Sequence, residues 1–238
     1  MFFRVGIENN VEGRSLAWVL EHPGCFAYGP SADHALAAVP GAIYQYSDWI
    51  INRNDGFSWI DPSDIELIHE DSWDVYTIDE SFGLAREGYE VNAWFLRDWK
   101  PLTEQEINRG LKILEWSRVD LLETVAGLST EQMTLKFPGE RWSLEGILKH
   151  VSGAEWWYLN RLGLAFPKKD LPSNALERLE KVRSHLLEVL PRLAGTHEVL
   201  GIEGEFWSPR KVLRRAAWHE RDHTFHINRL RDQILYNK

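Results

Sequence analysis

The chain has 238 residues, a formal net charge of −9, 44% hydrophobic residues and twelve tryptophans. This composition excludes a disordered chain and indicates well-filled cores. No run of about 18 apolar residues occurs, so we expect no membrane span. The N-terminus lacks the basic start and long apolar segment of a signal peptide, and the single cysteine, Cys25, forms no internal disulfide. We therefore expect a cytoplasmic protein.

The charge is divided unevenly along the sequence. Residues 1–100 hold 6 Lys and Arg against 17 Asp and Glu, whereas the remainder holds 21 against 19. An abrupt change of this kind indicates two domains, which we place at 1–100 and 101–238. The acidic first half argues against binding to a phosphate backbone, so we expect no nucleic-acid partner.

The first hundred residues predict a small α+β layer. Alternating apolar residues indicate a strand around Phe3, and further extended stretches are expected at 15–21, 26–29, 74–79 and 90–96. Ser31 is a candidate N-cap for a helix whose apolar stripe comprises Leu36, Val39, Ile43, Tyr46 and Ile50. Pro40 lies inside this helix and predicts a kink or two pieces. The expected arrangement is a helix on an antiparallel sheet.

Residues 2–50 resemble HicB-like antitoxin domains. The resemblance is carried by the first strand, by the turn His22-Pro23-Gly24-Cys25 that precedes Phe26-Ala27-Tyr28-Gly29, and by the start of the helix at Ser31. Domains of this kind bind protein partners, so the resemblance implies a protein partner for the N-terminal domain. The DNA-binding module that usually follows is replaced here by a different domain, which favours a packing or interaction role.

The second part of the chain predicts four amphipathic helices. Thr103 and Glu106 form a capping box for the first helix, and Ser143 caps the second, which Gly163 closes. A third helix is expected at about 174–193, and a fourth runs from Ser208-Pro209 to near Tyr236. Four such helices predict a four-helix bundle, so the fold class is a multidomain α+β protein with an all-α second domain.

Histidines occupy the apolar stripe of the fourth helix. At about 100° per residue, His219 and His223 lie within about 40° of each other and on the same side as Val212, Ile227 and Leu230. Burying several imidazoles is costly unless their nitrogens find partners, and a divalent metal satisfies two neighbouring imidazoles at once. A third ligand must come from another helix. His150 is the best candidate, and Glu155 and His226 are reserves.

Residues 103–238 resemble the DinB/YfiT-like superfamily of metal-binding four-helix bundles. The resemblance is carried by Arg141-Trp142-Ser143 through His150-Val151 and by Trp218-His219-Glu220-Arg221-Asp222-His223. It implies a metal site formed by His150, His219 and His223. It also implies a metal-dependent enzyme of the thiol S-transferase or hydrolase type, acting on a small molecule and using a low-molecular-weight thiol. Zinc and nickel are the metals that we expect, and a homodimer is expected because related bundles often pair.

Several alternatives stay open from the sequence. His219-Glu220-Arg221-Asp222-His223 also fits the zinc-peptidase pattern, in which Glu220 would be the general base. A second alternative is a non-enzymatic interaction or stress-response module whose metal site is structural or vestigial. Arg118 falls on the stripe of the first helix, where its stem covers apolar surface or its charge faces a carboxylate or an anionic ligand. His185 is expected to be solvated.

Overall fold

The computed structural model describes residues 1–236, which form two compact units. The first unit comprises residues 1–100 and 197–211, and the second comprises residues 101–196 and the chain from Val212 onward. The domain assignment at 1–100 and 101–238 stays a prediction. The structure adds that residues 197–211, which lie between two long helices in the sequence, belong to the same unit as the N-terminus.

The first unit contains a four-stranded mixed sheet. Its strands are β1 (Phe2–Val11), β2 (Arg14–Val19), β3 (Phe26–Gly29) and β4 (Glu66–Asp74), in the order β3-β2-β1-β4. β1 pairs antiparallel with β2 but parallel with β4. The expected antiparallel sheet is therefore wrong in this respect. β4 was missed because it is an edge strand of mostly exposed polar residues, without the alternation that marks a half-buried strand.

Helix α1 (Ala32–Arg53) packs on β1, β2 and β3. Ser31 caps it as predicted, because the Ser31 side chain accepts a hydrogen bond from the His34 backbone N–H. Pro40 does not divide the helix. The buried stripe continues on both sides of Pro40, so burial against the sheet holds the two halves in one helix. The members of that stripe are Ala35, Val39, Ile43, Tyr46 and Ile50. The HicB-like resemblance stays a prediction.

Two small hairpins complete the first unit. β5 (Tyr76–Ile78) pairs antiparallel with β6 (Tyr89–Val91), close to two of the predicted strands. β7 (Leu200–Ile202) pairs with β8 (Glu205–Trp207), a hairpin that the sequence did not lead us to expect. Its two-residue turn places Glu203 and Gly204 at positive φ, which suits the twist of a tight hairpin.

The second unit is helical. It contains α2 (Glu104–Val125), the short α3 (Thr130–Thr134), α4 (Leu144–Arg161), α5 (Ala175–Val189) and α6 (Pro209–Tyr236), whose first residues belong to the first unit. The predicted caps Thr103 and Ser143 both accept backbone hydrogen bonds from the first turn of their helices. The third helix was predicted to reach residue 193, but α5 ends at Val189 and a 3-10 turn continues to Leu193.

One apolar core draws on all four long helices of this unit. Its buried residues are Leu121, Leu144, Ile147, Leu148, Val151, Ala175, Leu179, Ile227 and Leu230. These residues hold α4 and α6 close to each other, which matters because the candidate ligands lie on those two helices. Among residues 1–236, none of the helices has the length and apolar character needed to cross a bilayer.

Candidate metal centre

Three histidines from two helices meet inside the second unit. His150 lies on α4, and His219 and His223 lie one turn apart on α6. His219 is 8% exposed and the other two are half-buried. The apolar neighbours of these residues explain the placement, because Val151 on α4 and Ile227 on α6 both belong to the shared core.

The Nε2 atoms of these histidines point at one another. His219 Nε2 lies 3.1 Å from His150 Nε2 and 3.2 Å from His223 Nε2, and the three ligand atoms all fall within 4.8 Å of one another. Ligand bonds of about 2.0–2.1 Å around a tetrahedral zinc ion give edges of roughly 3.3 Å between nitrogens. The two short separations are close to that edge, so this group could hold a metal ion.

Burial keeps His219 and His223 on α6 neutral. Desolvation first, and then the nearby His223 and His150, holds the pKa of His219 well below its usual value. Desolvation, followed by His150 and His226, lowers the pKa of His223 to about 3. Both imidazoles are therefore uncharged near neutral pH, which is the protonation state that binds a metal.

Aromatic side chains surround the cluster. The ring of Trp142 stacks on His150, with centroids 4.4 Å apart and planes 22° from parallel. Tyr158 and Trp218 lie against His219 at 6.2 Å and 5.6 Å between centroids. Such neighbours fix ring orientation and exclude water from one side of the cluster. The Nδ1 atom of His223 is buried and has no hydrogen-bond partner within residues 1–236.

The two reserve ligands are engaged elsewhere. His226 Nε2 donates to Glu140 Oε2 at 3.0 Å, and its ring lies 6.0 Å from that of His223. Glu155 accepts from Arg183, with Arg183 Nη2 2.6 Å from Glu155 Oε2. His185, which we expected to be solvated, is half-buried, and its Nε2 donates to the Leu164 carbonyl at 2.7 Å. That loop carbonyl offers an acceptor that helical periodicity cannot reveal.

A buried ion-pair network links Glu220, next to His219 on α6, to arginines on α2 and α5. Glu220 Oε2 accepts from Arg118 Nη2 at 2.7 Å and from Arg183 Nη2 at 3.0 Å, while Ser117 donates to Glu220 Oε1 at 2.8 Å. Burial alone would raise the pKa of Glu220, but Arg183 and Arg118 hold it below its usual value. Arg118 therefore faces carboxylates, which was the second of the two interpretations open from the sequence.

Sequence reasoning missed Arg183. It lies next to Val182 and four residues after Leu179, so it shares the buried face of α5 and is 4% exposed. The signal was this spacing, which places a charged residue on the apolar stripe of the predicted third helix. Glu220 was placed at the edge of its stripe but is 1% exposed, because α6 is buried on every side from Pro209 to Glu220.

The position of Glu220 bears on the zinc-peptidase interpretation. In that pattern the glutamate is the general base and must reach a metal-bound water. Both carboxylate oxygens of Glu220 instead accept hydrogen bonds from Ser117, Arg118 and Arg183. A carboxylate held in this way is a poor proton acceptor, so the arrangement does not support peptidase chemistry.

This helical unit, in which imidazoles from two helices converge, could hold a metal ion. The family model described as the DinB superfamily matches residues 113–227, a range that includes all three histidines. The C-terminal part of the chain is thus DinB-like, as its sequence indicated. A comparison with curated proteins gave no match.

Proposed function

We propose that this chain is a divalent-metal-binding protein, with a DinB-like four-helix bundle that holds the ion through His150, His219 and His223. The observation that supports the proposal most directly is the convergence of three Nε2 atoms, two of whose separations are 3.1 Å and 3.2 Å. The depressed pKa values of His219 and His223 supply the neutral ligands that a metal requires.

We further propose a metal-dependent enzyme of the thiol S-transferase or hydrolase type, with a small-molecule substrate. Three protein ligands leave a coordination position for another group, which is the arrangement of catalytic rather than structural zinc sites. When bound, the metal would lower the pKa of a water or thiol ligand and supply a nucleophile near neutral pH. Imidazole ligands suit zinc and nickel, the two metals that we expect.

The chain's own residues would orient and shield that chemistry. Trp142 fixes the plane of His150 by stacking, and the rings of Tyr158 and Trp218 cover His219. Arg215 also acts on the site, since its positive charge contributes to the lowered pKa of His219. A positive charge beside the cluster favours an anionic group, such as a thiolate, near the ligands.

Metal analysis tests the proposal. Protein prepared without chelators should contain about one zinc or nickel ion per chain by elemental analysis, as expected for one site with three imidazole ligands. His219→Ala and His223→Ala should abolish stoichiometric metal, whereas His226→Ala, whose ring is engaged by Glu140, should retain it. Wild-type protein that takes up no divalent ion in a titration would contradict the proposal.

A second experiment separates the enzyme from a structural site. Cobalt-substituted protein should change its visible absorption when a small thiol or azide is added, because an open position accepts the added ligand. An unchanged spectrum, together with metal-dependent unfolding, would favour the non-enzymatic alternative. In that alternative the acidic first unit would supply a surface for a protein partner, and a thiol-transfer screen would give no turnover.

A further inference from the structure

Four buried charged side chains join the four long helices of the second unit. Arg118 lies on α2, Glu155 on α4, Arg183 on α5 and Glu220 on α6. The Nη2 atom of Arg183 is shared, 2.6 Å from Glu155 Oε2 and 3.0 Å from Glu220 Oε2. The two arginines also donate to carbonyls across helices, Arg118 to Leu179 at 2.6 Å and Arg183 to Leu114.

Stability alone gives little reason for this network. The free energy that a buried ion pair loses on desolvation is about as large as the free energy gained from the attraction between its charges. Replacement by well-packed hydrophobic residues is therefore often neutral or stabilising. A planar guanidinium makes the pairing geometrically specific, because its N–H donors fit carboxylates in only a few relative positions. A sliding of α4 along α6 would separate Arg183 from one of its two carboxylates.

The same two carboxylates lie close in sequence to the histidines. Glu220 directly follows His219 on α6, and Glu155 is five residues after His150 on α4. We propose that the network of Arg118, Glu155, Arg183 and Glu220 is a positioning device that fixes the register of α4 against α6 and so brings His150 to His219 and His223. The inference rests on the proposed function, since its consequence is metal affinity.

A positioning role and a purely structural role predict different results. If the network only stabilises the fold, hydrophobic replacement should leave the metal affinity of the folded protein unchanged. If it sets the register, a variant that folds equally well should bind metal more weakly. Changes in the groups that orient metal ligands lower metal affinity by roughly 10–100-fold. We expect the same range here.

The decisive variant replaces all four residues, as Arg118→Met, Arg183→Met, Glu155→Leu and Glu220→Leu in one chain. We expect a folded protein whose Kd for Zn²⁺ is about tenfold or more above that of wild type. Its cobalt form should show a changed ligand-field spectrum. The matched control is Glu205→Gln in the first unit, where the buried Glu205 carboxylate accepts from Lys211 at 2.7 Å. This control should lose stability but keep the wild-type Kd.

A conservative variant covers the case in which the fourfold variant does not fold. Arg183→Lys keeps the charge but loses the planar guanidinium whose N–H groups reach both carboxylates. It should also raise the Kd for Zn²⁺ about tenfold. A wild-type Kd in whichever variant folds would overturn the inference. NMR contacts between the rings of His150 and His219 in metal-free protein give a readout that does not need metal. These contacts should weaken in the variants, and unchanged contacts would overturn the inference. Because this readout needs no metal, it tests the inference even if the wild type binds no metal and the proposed function fails.

Discussion

Two clusters of buried polar side chains share α4 and α6, and they differ in how far their polar atoms are hydrogen-bonded within the cluster. The ion-pair network also includes residues of α2 and α5. In the ion-pair network every carboxylate oxygen of Glu155 and Glu220 accepts a hydrogen bond, and two arginines balance the two acids. In the histidine cluster the Nε2 atoms face one another, and His223 Nδ1 has no partner among the described residues. Buried polar groups are normally satisfied. The contrast, together with the three Nε2 atoms that face one another, supports the proposal that the histidine cluster could hold a metal ion.

The largest predicted effect comes from breaking the complete cluster. Arg183→Met should lower the free energy of unfolding by about 3–5 kcal/mol, because it leaves Glu155 and Glu220 buried with one arginine between them. Urea denaturation measures the change. Arg192→Met is the control, since Arg192 and its partner Glu188 are 68% and 64% exposed, and it should cost no more than about 0.5 kcal/mol. Equal losses in the two variants would contradict a network that depends on burial.

Burial of His223 should make the stability of the metal-free protein fall as the pH drops. Unfolded chain binds a proton at His223 below about pH 6.5, whereas the folded protein resists it down to about pH 3. The unfolded state thus binds more protons in this window, so stability is full above it and falls as the pH drops through it. His223 alone should cost the metal-free protein about 2 kcal/mol between pH 7 and pH 5.

The matched variant for this prediction is His223→Gln. Its free energy of unfolding should fall less than that of the wild type between the same two pH values, because the glutamine does not titrate. Urea unfolding of chelator-treated protein at pH 7 and pH 5 gives both differences. If the wild type and the variant lose equal stability, His223 is not held neutral by burial.

More of the histidine site than of the sheet could be predicted from the sequence. Helical period alone placed His219 and His223 on the buried stripe, because the spacing of ligands within one helix is a local property. The pairing of β1 with β4 is not local. It joins strands that α1 separates in the sequence, and β4 is too polar to show the apolar alternation that predicts a strand. The β7–β8 hairpin was missed for a related reason, since three-residue strands are too short to show an alternation.

The pairing within the ion-pair network could not be predicted from the periodicity of single helices. Arg118 was recognised on an apolar stripe and Glu155 as a reserve ligand, yet their partners could not be assigned from one helix at a time. Arg183 was overlooked because charge normally indicates a solvated face. Listing the charged residues on each predicted stripe would have found Arg183 beside Arg118 and Glu155, and buried charges are rarely left unpaired. The match of the DinB superfamily model supports the helical domain but does not by itself describe this network.

The smallest predicted effect tests whether the completeness of the network matters in detail. Ser117 is fully buried, and its hydroxyl donates to Glu220 Oε1 at 2.8 Å. Ser117→Ala should lower the free energy of unfolding by about 1–2 kcal/mol, because one carboxylate oxygen is left without a donor while the other keeps both arginines. Ser152→Ala is the control, as that buried hydroxyl donates to the Leu148 and Lys149 carbonyls of its own helix. Removing the Ser152 hydroxyl leaves no charge unsatisfied, so the loss in free energy of unfolding should be smaller. Equal losses in the two variants, measured by thermal unfolding, would show that the Ser117 donor adds nothing to the network.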